Sequence, residues 1–110
     1  MIIKKISEIS SSKPVVLTGD FNCIKDSDPY KIITSSTPKL FDAQFISEHG
    51  YYGGNVSYNG FQNILEPNNK IDFIFVNEKF KIYQHGIISE KFNGHYPSDH
   101  MPVVADIYFK

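Results

Sequence analysis

The spacing of apolar residues divides the chain into short elements. Ile2, Ile6 and Ile9 recur at helical intervals, with Lys4, Lys5 and Glu8 between them, which predicts an amphipathic helix over residues 1–10. The stretch Ser10-Ser11-Ser12-Lys13-Pro14 ends it. Val15-Val16-Leu17 is a continuous apolar run, the pattern of a strand covered on both faces. It leads into the turn-rich Gly19-Asp20-Phe21-Asn22, past a strand's C-terminal end, where α/β sheets tend to bind ligands. A helix is predicted from Asp26-Ser27-Asp28-Pro29, with Ser27 or Asp28 as cap and Pro29 in the first turn. It should run to about Ile33 and stop near Ser35-Ser36-Thr37-Pro38, with a second short helix over Leu40–Ile46. Residues 50–69, rich in Gly, Asn and Tyr, read as loop with a short strand at Val56–Tyr58. Ile71–Val76 and Phe80–Ile88 read as strands joined by the turn Asn77-Glu78-Lys79. Residues 95–100 read as loop and Pro102–Phe109 as a closing strand. The order, helix and strand, then helices, then three strands, is an α/β pattern with an antiparallel-leaning end.

Composition narrows the classes. The 110 residues suit one domain, and 41% hydrophobic with 15% aromatic content supplies a core and excludes disorder. The net charge of −1 provides no basic field for a polyanion. Every basic residue is lysine, so phosphate would have to be met by Lys, His, amides or a metal rather than by a guanidinium fork. The single cysteine, Cys23, excludes an internal disulfide and a cysteine zinc site and fits a reducing compartment. No apolar run reaches the length of a membrane span, and the lysines of the first six residues break any signal-peptide core. The expected location is the cytoplasm.

Asp20, Asp72 and Asp99 fall at predicted strand–loop junctions, accompanied by Asn22 and His100. Asp20 and Asn22 are equally readable as turn formers, and Ser98-Asp99 as a turn or cap. Asp72 is harder to dismiss, because alternation places it on the face of Ile74 and Val76, where an unpartnered carboxylate costs several kcal/mol. His100 is a reasonable partner, and the pairing would favour its charged form. Together the five side chains suit phosphoryl chemistry. Asp20 can orient or deprotonate a water, Asn22 can donate to a phosphoryl oxygen, and His100 can neutralise developing charge. Asp99 offers a hard oxygen ligand for Mg²⁺ or Mn²⁺.

Gly19-Asp20-Phe21-Asn22, Lys70-Ile71-Asp72-Phe73-Ile74-Phe75 and Ser98-Asp99-His100-Met101-Pro102-Val103 closely resemble, in order and context, the last three signature blocks of the endonuclease/exonuclease/phosphatase superfamily. The likeness runs from about Ile9 to Ile107. It implies the DNase I-like fold, a four-layer α/β sandwich of two similar halves, with this chain as the C-terminal half: a mixed or antiparallel sheet flanked by helices. It also implies site roles. Asp20 positions the attacking water, Asn22 contacts water and phosphate, Asp72 pairs with a phosphate-binding His100, and Asp99 lies by the metal with Asp20 and Asn22. The cofactor implied is Mg²⁺ or Mn²⁺. The substrates implied are phosphodiesters or phosphomonoesters: nucleic acid, phospholipid head groups or small phosphate esters.

The family's first half normally brings an Asn, the principal metal-binding Glu and a His or Tyr near the phosphate. These are not recognisable here, where Glu8 is the sole acidic residue before Asp20. Residues 1–110 are therefore read as a partial domain. Either a phosphoesterase completed by a separate chain or a homodimer, or a non-catalytic truncated remnant or binding or self-associating module that keeps the motifs without the metal-binding Glu, is consistent with that reading. His49, His85 and His95 read as surface or loop histidines, Lys25 and Lys70 as solvated lysines, and Cys23 as a small buried filler.

Overall fold

The computed structural model describes residues 2–10, 12–62 and 64–110. The first helix, α1, spans Ile2–Ser10. Its inward stripe is Ile3 and Ile6 rather than the expected Ile2, Ile6 and Ile9: Ile3 is 8% exposed, while Ile2 and Ile9 are 49% and 73% exposed. Ile3, Ile6 and Ser10 share the same helical spacing, so periodicity alone offered two adjacent stripes and the packing chose one.

Strand β1 is Val16–Asp20 and helix α2 is Asp28–Ser35, with Pro29 in its first turn. Ser27 occupies the cap position, yet its hydroxyl donates back to the Ile24 carbonyl instead of capping the helix. The expected helix over Leu40–Ile46 divides into a two-residue strand β2, Phe41–Asp42, and a short helix α3, Ala43–Ile46. Asp42 causes the division: its buried carboxylate accepts the Gln44 N–H at 3.1 Å, starting α3 one residue later, and accepts the Tyr30 hydroxyl at 2.9 Å. In the 50–69 region the strand is β3, Tyr51–Tyr52, not Val56–Tyr58, and Tyr58 contributes a single bridge to His100. Strands β4 (Asp72–Val76), β5 (Phe80–Ile87) and β6 (Val103–Phe109) complete the chain.

The strands form two three-stranded sheets. One has the order β1-β4-β2 and is antiparallel throughout; the other has the order β3-β5-β6, with β3 parallel and β6 antiparallel to β5. The turn after β4 thus carries the chain from one sheet to the other. Asn77 secures that corner, accepting the Val15 N–H at 3.1 Å and donating to the Lys13 carbonyl at 2.8 Å.

β4 is the strand that both cores share. Phe73 and Phe75 point toward α1 and α2 and pack with Ile3, Tyr30, Ile33 and Leu40. On the other face Val76 and Ile74 meet Ile82, Ala105 and Ile107 of the second sheet. This is an α/β fold, with one antiparallel and one mixed sheet and helices laid against them. β1 does not have both faces covered as its apolar run predicted: Leu17 is half-buried, but Val16 is 47% exposed and Thr18 is exposed. It is an edge strand, and only the Leu17 face meets a core among the described residues.

Candidate functional site

Asp20 is the last residue of β1 and Asp72 the first of β4, and the antiparallel register sets them directly opposite each other. The turn after Asp20 follows from its sequence. Asn22 adopts φ 50°, a left-handed conformation that Asn tolerates better than most residues, and its N–H folds back onto Asp20 Oδ1 at 2.9 Å. Ser98 forms the matching turn before β6, its hydroxyl accepting the His100 N–H at 3.2 Å.

His100 arrives between the two carboxylates. Its Nδ1 lies 2.9 Å from Asp72 Oδ2, and its Nε2 lies 3.7 Å from Asp20 Oδ2. A carboxylate only accepts, so Nδ1 carries the proton and donates it to Asp72. The second distance is an ion-pair approach rather than a hydrogen bond. The Tyr58 ring stands edge-on to the imidazole, centroids 5.1 Å apart. The hydrogen bond to Asp72 raises the His100 pKa above its ordinary value against the effect of burial, and the charges of Asp72, Asp20 and Asp99 add to the rise. The ligand atoms of Asp20, Asp72 and His100 all lie within 4.8 Å of one another. An open cleft of about 410 Å³ reaches Asp20 and Asp72 past Thr18, Ile74, Met101 and Val103.

Asp20, Asp72 and His100 are therefore assembled. Asp99 lies outside that group among the described residues; it is half-buried, and its carbonyl accepts the Asn59 N–H at 2.8 Å. Asn22 is exposed and adjoins the cluster through its N–H to Asp20. The oxygens of Asp20 and Asn22 suit a hard divalent cation in kind, whereas Nδ1 of His100 is committed to Asp72.

Two residues read as solvated or surface groups are interior. Lys70 is 5% exposed, with its ammonium 4.0 Å from the Phe73 ring centroid; burial lowers its pKa while Asp42 and Asp72 oppose the fall. His85 is 1% exposed and neutral, its pKa pushed down to about 4 by burial and then by the Lys70 charge. Nothing in the sequence marks either as buried: alternation from Ile82 puts His85 on the face of the exposed Lys81 and Tyr83, and the register shift between Ile82 and Gln84 turns it inward.

The sequence model of the Endonuclease/Exonuclease/phosphatase family matches residues 4–100. No curated protein sequence matches the chain. Among solved structures, an endonuclease/exonuclease/phosphatase from Bacteroides vulgatus is 34% identical with a TM-score of 0.88, over 99% of this chain and 41% of that one. A mannosyl-6-phosphatase from Bacteroides thetaiotaomicron is 27% identical with a TM-score of 0.84, over 98% of this chain and 43% of that one. The human Nocturnin catalytic domain, at 21% identity and a TM-score of 0.72 over 99% of this chain and 38% of that one, shares the fold. The chain spans about two fifths of the length of the structures it matches. With the family match covering most of the sequence and the same fold in each of these relatives, the chain belongs to the Endonuclease/Exonuclease/phosphatase family.

Proposed function

We infer that this chain carries part of a Mg²⁺-dependent phosphoesterase, cleaving a phosphodiester or phosphomonoester by attack of water on phosphorus. The observation that carries the reading is the imidazole of His100 held between Asp72 and Asp20 at the strand ends. Asp20 orients the water and takes its proton as the new P–O bond forms and the ester P–O bond breaks. Asn22 donates to a phosphoryl oxygen. His100, kept protonated by Asp72, neutralises charge on phosphorus's oxygens through Nε2–H. Asp20 and Asn22, with Asp99 brought in from outside the cluster, would be the oxygen donors for Mg²⁺ or Mn²⁺, which would supply Lewis-acid stabilisation of the phosphoryl charge. A carboxylate from a further polypeptide segment would complete the donor set.

The family includes nucleases and phosphatases, and the likeness to a mannosyl-6-phosphatase favours a small phosphate ester over nucleic acid or a phospholipid head group. The near-neutral charge agrees with that choice. A single unpaired cysteine suits the reducing cytoplasm; no helix among the described residues is long and apolar enough to cross a membrane. The test, made on this chain together with the segment that supplies the completing carboxylate, is hydrolysis of p-nitrophenyl phosphate and bis(p-nitrophenyl) phosphate with Mg²⁺ or Mn²⁺. Turnover that Asp20→Ala lowers at least about a hundredfold is expected; no turnover, or turnover indifferent to Asp20→Ala, overturns it.

A second reading is a non-catalytic or self-associating module. The exposed apolar side chains of Ile2, Ile9 and Val16, which line one groove, favour it. Size-exclusion chromatography giving a monodisperse monomer counts against self-association.

A further inference from the structure

Asp72 and His100 lie 28 residues apart and reach each other from separate elements. Their meeting at 2.9 Å needs the start of β4 and the segment before β6 to be fixed to each other. The segment Ser57–Asn59 touches both. Ser57 is fully buried. Its hydroxyl oxygen accepts the Ile71 N–H at 2.9 Å and the Asp72 N–H at 3.1 Å, so it grips the backbone of the residue that holds the imidazole. Its carbonyl accepts the Met101 N–H at 2.6 Å, one residue beyond His100. Its own N–H donates to the Asn69 carbonyl at 3.1 Å.

Asn59, 5% exposed, repeats the arrangement on the histidine side. Its N–H donates to the Asp99 carbonyl at 2.8 Å and its Nδ2 to the Ser98 carbonyl at 2.9 Å. Its Oδ1 accepts the Phe61 N–H at 2.6 Å, which fixes the amide's orientation. The polar groups of these two side chains thus serve the backbone on either side of the Asp72–His100 pair, and neither side chain belongs to the acid–imidazole cluster.

We propose that Ser57 is a positioning residue, whose hydroxyl sets the Asp72–His100 hydrogen bond by holding the Asp72 backbone while its carbonyl holds Met101. The proposal rests on the reading of Asp72 and His100 as site residues. A merely space-filling serine would leave that hydrogen bond intact when its oxygen is removed. A buried hydroxyl accepting two amides leaves two donors unsatisfied on removal, and the strand end must shift to reach other acceptors.

The experiment observes the Nδ1–H proton of His100 by NMR on the ¹⁵N-histidine-labelled chain. A low-field, exchange-protected resonance is expected, and its loss in Asp72→Asn assigns it. Ser57→Ala should lose or broaden that resonance, and Ser57→Thr, which keeps the hydroxyl, should retain it. An unchanged resonance in Ser57→Ala overturns the proposal, as does its loss in a folded Ser57→Thr. Should Ser57→Ala fail to fold, Ser57→Cys, similar in shape but a weaker acceptor, is read by the same criterion. The readout is independent of turnover. Loss in Ser57→Ala alongside an inactive parent would sustain the clamp and remove the hydrolase reading; an unchanged signal alongside an active parent would do the reverse.

Discussion

Asp20 and Asp72 face each other across adjacent antiparallel strands, and the His100 ring sits within reach of both. Two like charges at opposed positions repel, and an imidazolium between them turns that repulsion into two attractions. Asp72→Asn should therefore lower the His100 pKa, because it removes the hydrogen bond that contributes most to the rise. The sign carries into stability. A raised pKa contributes stability fully present below the unfolded value of about 6.5 and lost as pH rises through the folded value. NMR titration of the His100 ring protons checks this; the same midpoint in parent and Asp72→Asn would refute it.

His85 should work in the opposite sense. Its folded pKa near 4 lies below the unfolded value, so the unfolded chain binds the proton first. Its contribution is complete above about pH 6.5 and disappears on acidification toward about 4, a loss of about 3 kcal/mol. Urea denaturation at about pH 7 and about pH 4 measures it. His85→Leu should flatten the slope in that window, and a slope unchanged in the variant would show that other groups cause it.

Asn77 joins the N-terminal segment to the corner between the sheets with two side-chain hydrogen bonds while 3% exposed. Asn77→Ala should cost about 1–3 kcal/mol, since it strands the Val15 N–H and the Lys13 carbonyl. A denaturation midpoint equal to the parent's would show that water replaces both.

Gly86 lies beneath the Tyr52 ring, and a Cβ there would stand 2.0 Å from Tyr52 Cζ. Gly86→Ala should displace β3 from β5 and cost about 1–3 kcal/mol. In a Tyr52→Ala background the same substitution should cost much less, a non-additivity that a double-mutant cycle measures.

Much of this was legible in the sequence, for identifiable reasons. The β4 alternation puts Phe73 and Phe75 on one face and Asp72, Ile74 and Val76 on the other, and both faces find cores. The turn residues after Asp20 and before His100 have local signals that tertiary packing leaves intact. Other features depended on contacts no local pattern carries. Ile3 rather than Ile2 and Ile9 turns inward because α2 and β4 approach from that side. Lys70 is interior because the Phe73 ring face is there to receive it. The β4–β5 corner looks like a hairpin turn but changes sheets, and β3 is a two-residue strand, too short for periodicity to reveal.

The pairing of β1 with β4 has a consequence for how errors in this fold would express themselves. A strand's side chains alternate, so a slip of one residue would exchange the two faces of β4. Phe73 would then stand at the imidazole and Asp72 would be driven among Ile3, Tyr30 and Leu40. The aromatic pair Phe73 and Phe75, locked between helices and sheet, penalises that slip heavily. The oily interior is in this sense an aiming device for the polar end: the poor fit of the slipped register helps keep the carboxylate pointed at His100.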